Sequence, residues 1–306
     1  MNITTGTNPL TFTDFVQAIA AKMQERYAGC DVKTTTVDKN NGIHLTGVAV
    51  LEKGTDTSSS PAIYLDKLYE DYMDGTPVDE ILEEAVDFYE GHKLEENPSL
   101  PDLRCFEAVK DIVCYRLVNA TRNEARLQGL PHRPFLDLAI TYCIPVAVAD
   151  DARGAITVTD AFMEQWQVDE ETLYACASAN TERLYPAEVT AVEEVLREGC
   201  PDADLPDIRS GMSVLRNRIA GGGAGTMLYS GTLRRFAEQH GDFYILPSSV
   251  CEVLLLPPSP AAAPLDPQSL SGLVRTVNGS SVLPEEVLSD NAYLYHADSG
   301  EIEVIS

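Results

Sequence analysis

Two hairpin signatures, one near each end, constrain the fold of this chain more than any other feature. Residues 31–38 and 43–51 are rich in β-branched side chains and are joined by Asn40-Asn41-Gly42. Asn-Gly supplies the positive φ angles that a tight hairpin turn requires. Near the other end, residues 292–295 and 302–305 flank Ala297-Asp298-Ser299-Gly300, a second turn. Strands that succeed one another through short turns pair antiparallel, which argues against a doubly wound parallel sheet. The expected class is α+β, with mixed or antiparallel sheets and flanking helices.

The chain has 306 residues, enough for roughly two domains or one elaborate one. An N-terminal α-β-β-β-α unit is expected over residues 1–96, then a larger mixed α/β unit over residues 97–306. The boundary falls at Asn97-Pro98-Ser99-Leu100-Pro101, and the two units can share one core. In the first unit, Thr11 or Thr13 caps a helix whose Phe12, Phe15, Ile19, Met23 and Tyr27 recur at helical spacing. Residues 62–65 form a third short strand. Thr76-Pro77 opens another helix, with Thr76 as cap and Pro77 in the first turn. Its buried stripe is Ile81, Leu82, Ala85, Phe88 and Tyr89. In the second unit, strands are expected at residues 112–118, 136–148, 155–158, 212–215, 226–229, 243–246 and 252–256. Helices open at Asp160 and Asp169 and cover residues 187–198, 231–240 and 267–277. Residues 257–267 are a Pro/Ala-rich surface loop.

Asp plus Glu outnumber Lys plus Arg by 48 to 22, a net charge of −26. The deficit is spread along the chain, so no basic patch exists to neutralise phosphates. Direct nucleic-acid binding and an anionic membrane are therefore not expected. Residues 66–90 carry ten acids against the single Lys67. They form a solvated face or a docking surface for a basic protein partner. The seven cysteines, Cys30, Cys105, Cys114, Cys143, Cys176, Cys200 and Cys251, include no C-x-x-C pair. Their spacing fits neither a disulfide framework nor a zinc ribbon, and most read as reduced, buried thiols. The first seven residues do not resemble a signal peptide, and the longest nearly apolar run, residues 139–149, is too short to span a bilayer. A cytoplasmic location is expected, with no cofactor and no metal. Gly221-Gly222-Gly223-Ala224-Gly225-Thr226 lacks the lysine of a phosphate loop and precedes an expected strand, so it reads as a flexible turn.

Two polar segments are the candidate sites. In the first, residues 243–246 and 252–256 flank Pro247-Ser248-Ser249, an elbow that lifts small hydroxyls and the Cys251 thiol, with Glu252 beside it, out of a sheet. Ser248, Ser249 and Cys251 are potential nucleophiles, and a nucleophile needs a base within hydrogen-bond reach. In the second, Leu130-Pro131-His132-Arg133-Pro134-Phe135-Leu136-Asp137 places an imidazole, a guanidinium and a carboxylate just before an apolar strand. Arg133 suits carboxylate or phosphate recognition and His132 titrates near neutrality. The structural alternatives are backbone-bonding serines at a strand break and a loop held by an Arg133–Asp pair.

These segments, with Leu45-Thr46-Gly47, Pro61-Ala62-Ile63-Tyr64-Leu65, Leu228-Tyr229 and Pro284-Glu285-Glu286-Val287-Leu288-Ser289-Asp290, carry a resemblance covering nearly the whole chain. It is similar to a family of uncharacterised cytoplasmic proteins, a domain of unknown function common in gut Clostridia and their relatives. The family pattern has a His after Pro-Ser-Ser-Val where this chain has Cys251, which weakens a catalytic role there. The resemblance implies a fold and no activity, and it raises interest in the two segments as one composite site. The leading expectation is a non-enzymatic binding or regulatory protein, with a basic protein or a small ligand as partner. The alternative is a hydrolase or transferase using Ser248, Ser249 or Cys251 with His132. A nucleic-acid mimic is a third reading and requires regular exposed rows of carboxylates.

Overall fold

The structure, a computed structural model, describes residues 9–53, 60–93, 101–147, 153–199, 210–219, 221–258 and 266–305. The first seven residues, the boundary at 97–100, Cys200 and most of the Pro/Ala-rich loop lie outside them. The chain is α+β, and every strand pairing among the described residues is antiparallel. It divides into two compact units.

The first unit holds residues 9–39, 43–53 and 60–93. Helix α1 (Phe12–Arg26) starts at Thr11, whose Oγ1 accepts from the Asp14 N–H at 3.2 Å. Strands β1 (Cys30–Asp38), β2 (His44–Glu52) and β3 (Ala62–Tyr64) form a sheet in that order. Helices α2 (Leu65–Met73) and α3 (Val78–His92) follow. Alternation along the strands turns Val48, Val50 and Ile63 to one face, where they pack with Phe15, Ile19 and Met23 of α1 and Ile81 and Ala85 of α3. Thr76 is not the cap of α3. Pro77 takes that position without a side-chain bond, and its carbonyl accepts from Glu80 and Ile81 at 3.0 and 3.1 Å.

The Asn40–Gly42 turn has the expected positive φ angles, 60° at Asn41 and 69° at Gly42, but it is a three-residue 3-10 turn. These residues group with the second unit. Asn41 Nδ2 donates to the Pro284 and Val287 carbonyls at 2.8 Å, and its backbone N–H donates to Asn123 Oδ1 at 2.9 Å.

The second unit contains α4 (Phe106–Val109), β4 (Cys114–Asn119), α5 (Glu124–Leu127), β5 (His132–Phe135), β6 (Leu138–Ala147), β7 (Arg153–Thr157), α6 (Asp160–Trp166) and α7 (Glu170–Leu184). It continues with β8 (Glu188–Ala191), α8 (Val192–Gly199), β9 (Ser213–Arg216), a 3-10 segment (Gly223–Leu228), α9 (Thr232–His240), β10 (Phe243–Ser249) and β11 (Glu252–Leu256). Helix α10 (Pro267–Ser280), β12 (Ala292–Tyr295) and β13 (Ile302–Ile305) complete it. One sheet pairs β6 with β4, β5 and β7; the other runs β13-β12-β10-β11-β9-β8. Both contribute to one core, with Tyr115, Leu138 and Tyr142 from the first and Leu215, Phe243, Val253 and Tyr293 from the second.

Three expectations fail here for physical reasons. Residues 187–198 are not one helix, because Glu188–Ala191 pairs with β9 before the chain turns helical. Residues 226–229 are not a strand. Gly223–Leu228 forms a buried 3-10 segment, with the Thr226 hydroxyl donating to the Gly223 carbonyl at 2.7 Å. The glycines therefore lead into this segment, and the reason is distant in sequence: a Cβ at Gly223 would lie 1.7 Å from the Cys251 carbonyl oxygen. Pro247 does not end a strand either. β10 runs on through Ser249 with a register shift between Leu246 and Ser249, and the bend follows at Val250-Cys251.

Candidate functional site

Proline has no N–H to give a ladder, so the irregularity in β10 falls where Pro247 stands. Beyond it, Ser249 Oγ accepts from the Cys251 N–H at 3.0 Å, a local turn bond. The Val250 N–H donates to the Glu286 carbonyl at 2.8 Å, and the Val250 carbonyl accepts from the Ala224 N–H at 3.1 Å. The tip of this hairpin is thus packed: Ser249 and Val250 are buried and Cys251 is half-buried. Ser248 lies within β10, and its side chain is outside the described set. Burial pushes the Cys251 thiol above its ordinary pKa, and the nearby Glu286 and Glu252 carboxylates add to the rise. At neutral pH the group is a thiol, and the thiolate is the nucleophile.

The second segment is itself a strand, β5, and does not merely precede one. A two-residue turn, Leu136-Asp137, joins it to β6. Leu136 has φ 55°, a left-handed conformation that is costly for a residue with a Cβ. Asp137 anchors that turn. Its carboxylate accepts from Ser289 Oγ at 2.6 Å, Asn291 Nδ2 at 3.0 Å and Tyr293 Oη at 2.7 Å. Among the described residues Arg133 bonds no Asp. It donates to Glu170 at 2.8 Å and Glu171 at 2.6 Å, and lies 4.0 Å from the centre of the Tyr174 ring. Burial pushes the Glu170 carboxyl up, but hydrogen bonds from Arg133 and Tyr142 outweigh it and hold it below the ordinary Glu range. The His132 ring is exposed, and its Nδ1–H donates to the Leu130 carbonyl at 2.8 Å.

The structure therefore gives Arg133, Asp137 and Ser249 internal partners. His132 and Cys251 belong to strands and turns of different sheets. Among the described residues, no hydrogen bond or ion pair joins the His132–Asp137 segment to the Ser249–Glu252 segment. Nor is any group of three or more His, Cys, Asp and Glu side chains placed there to hold a metal ion. No helix among those residues is long and apolar enough to cross a membrane.

Cys251 and Glu252 do open onto a cavity of about 290 Å³, whose other walls are Glu188, Arg216, Asn217, Arg218 and Ile219. Antiparallel register sets Arg216 of β9 between Glu188 of β8 and Glu252 of β11, so charges alternate across three strands. Arg216 Nη1 is 3.8 Å from Glu252 Oε2, beyond hydrogen-bond length, and Arg218 Nε donates to Glu188 at 2.9 Å. Asn217 is fixed: its Nδ2 donates to Tyr229 Oη at 2.6 Å and its Oδ1 accepts from the Ile219 N–H. Behind the Gly222 turn, Arg116 Nε is buried with no hydrogen-bond partner among the described residues. Sequence reasoning missed Glu188, Arg216 and Arg218. Their signal was Arg216-Asn217-Arg218, a doubled cation directly after an apolar strand in an otherwise acidic chain.

The acidic helix α3 is partly neutralised from within. Asp79 pairs with Lys22 at 2.6 Å, Glu83 with Arg26 at 3.7 Å, and Glu90 accepts from Tyr27 at 2.7 Å.

The fold class is α+β with antiparallel sheets, and a charged cavity lies at one hairpin turn. The chain belongs to the Family of unknown function (DUF5688), whose model matches residues 12–297. No curated protein and no solved structure matches it.

Proposed function

We propose that this protein acts by binding, without covalent catalysis, and that the cavity beside Cys251 takes a small ligand carrying both an anionic and a cationic group. One observation carries the reading: among the described residues, Arg216 faces the cavity with a single long ion-pair contact, to Glu252 at 3.8 Å. A guanidinium has a planar fork of donors that matches a carboxylate in bidentate fashion. A ligand carboxylate would fill that fork, and its ammonium would meet Glu252 or Glu188. The volume suits an α-amino acid or a comparably small zwitterion, at the lower end of ligand pockets. A nucleophilic role for Cys251 meets the obstacle of its raised pKa, and Ser249 Oγ is already an acceptor within its own turn.

Calorimetric titration of the purified protein with free α-amino acids and with their N-acetyl forms tests the proposal. Free amino acids bind, N-acetyl forms bind more weakly, and Arg216→Met weakens both. Loss of a charge-assisted bond of about 1.5–3 kcal/mol corresponds to more than a tenfold change. No heat from any member at ~1 mM and above, or equal binding by Arg216→Met, refutes it.

A further inference from the structure

The first unit carries a separate feature that the cavity does not use. Its sheet ends at β1, which pairs with β2 and with no other strand among the described residues. Successive residues of a strand turn their backbone groups to opposite sides. The Val32 N–H is directed away from β2, because Gln24 Oε1 accepts it at 3.0 Å. Gln24 Nε2 also donates to the Cys30 carbonyl at 2.9 Å, so this one side chain closes the start of the edge. The register is continuous from Cys30 to Asp38, so the same outward side holds the Val32 carbonyl and both backbone groups of Thr34 and Thr36. None of these has a hydrogen-bond partner among the described residues.

Alongside this open edge lies a groove of about 420 Å³. Phe12 and Val16 of α1 form its apolar side, and Thr34, Thr36 and Thr46 its polar side. Natural edge strands are blunted by shortness, proline, bulges or charged side chains; this nine-residue edge has no proline and no register shift, and besides the Gln24 closure it carries the charges of Asp31, Lys33 and Asp38.

We propose that β1 is a docking edge for an extended segment of a basic protein partner, which adds to the sheet as a fourth strand. An extended chain presents alternating N–H and C=O groups at the spacing that Val32, Thr34 and Thr36 require, and alternate side chains enter the groove beside it. Positive charge on the segment follows from the chain's net −26 and from Asp31 and Asp38, exposed on β1 itself against the single Lys33. The same charge opposes pairing of β1 with a second copy of itself.

The probe is a fluorescent heptapeptide of alternating Thr and Val with Lys at both ends. Its partner is the same peptide N-methylated on the residues of one edge, which cannot complete the ladder. The variant is Thr34→Pro, which removes an outward N–H and no bond to β2. The parent peptide binds the full chain by anisotropy and slows hydrogen exchange at the Thr34 and Thr36 amides. Thr34→Pro weakens it about tenfold, the scale of one backbone hydrogen bond. The N-methylated peptide fails on the unaltered protein, which decides the matter even if the variant does not fold. Three results overturn the proposal: equal binding of both peptides, binding insensitive to Thr34→Pro that disappears in ~1 M salt, where the Debye length is about 3 Å, or no binding at all. A dimer in sedimentation that Thr34→Pro dissociates assigns the edge to a second copy and overturns it too.

Discussion

Substituting alanine at Gly223 perturbs the hairpin tip at the point where the two polar walls of the cavity are held. The added Cβ would stand 1.7 Å from the Cys251 carbonyl oxygen, so one backbone must retreat by more than about 1 Å. Neither side can yield cheaply. The Ala224 N–H to Val250 carbonyl bond spans the gap at 3.1 Å, and the Val250 N–H to Glu286 carbonyl bond fixes the tip at 2.8 Å. Overpacking costs about 1–3 kcal/mol. Losing the two bonds adds about 1 kcal/mol each, so Gly223→Ala is expected to destabilise the second unit by about 3–5 kcal/mol. The neighbouring glycines calibrate the number. A Cβ at Gly222 meets side-chain atoms, Ile219 Cγ2 and Arg116 Cγ at 2.8 and 2.9 Å, and no backbone, so Gly222→Ala costs about 1–2 kcal/mol. Gly221 has open space but φ +60°, and its replacement costs about 1–2 kcal/mol of backbone strain. Urea unfolding followed by Trp166, the single tryptophan and buried in this unit, reads all three. A Gly223→Ala midpoint no lower than those of the other two refutes the reasoning.

Removing the Asp137 carboxylate with Asp137→Ala orphans the Ser289, Asn291 and Tyr293 donors and should cost about 3 kcal/mol in the same assay, far more than a surface substitution. Leu136→Gly relieves the left-handed φ of the β5–β6 turn and should raise stability by about 1 kcal/mol, so a lower midpoint contradicts the strain reading. Because Glu170 has a lowered folded pKa, its stabilisation is present above the ordinary Glu pKa of 4.5 and is lost as pH falls through the folded value. Glu170→Gln should therefore flatten that acid limb in pH-dependent unfolding, and an unchanged limb counts against the Arg133–Glu170–Tyr142 cluster as its source. The Cys251 thiol, raised above its ordinary value of 9.0, should react with iodoacetamide slowly at pH 8 and accelerate only above pH 9. Fast labelling at neutral pH would revive a nucleophilic role.

The sequence disclosed what local chemistry decides. Thr11 and Asp169 cap helices as their side-chain chemistry requires, and Asn41-Gly42 takes the positive φ angles expected of it. Strands 243–246 and 252–256 were legible from their apolar runs. What stayed hidden depends on contacts distant in sequence. Glu188–Ala191 resembles a helix start until β9 is there to pair with it. The glycines at 221–225 look like a loose turn because their tightness comes from Cys251 and Tyr115. Among the candidate residues, Arg133 and Asp137 drew attention as functional chemistry and proved to have internal partners, Glu170, Glu171, Ser289, Asn291 and Tyr293, that no spacing rule could supply. Cys251 and Glu252 were visible as polar residues at a bend. Arg216, which gives them a cavity to share, was not singled out.

Site-resolved alkylation tests the cavity most directly, since Cys251 lines it and the exposed Cys105 provides an internal reference. Mass spectrometry would follow slow iodoacetamide labelling of both thiols at pH 8, where free α-amino acids are still zwitterions, with and without those amino acids. Selective slowing at Cys251, unchanged labelling at Cys105, and loss of the protection in Arg216→Met are predicted. Equal rates at Cys251 with and without every amino acid would contradict the claim that this cavity binds a small zwitterion.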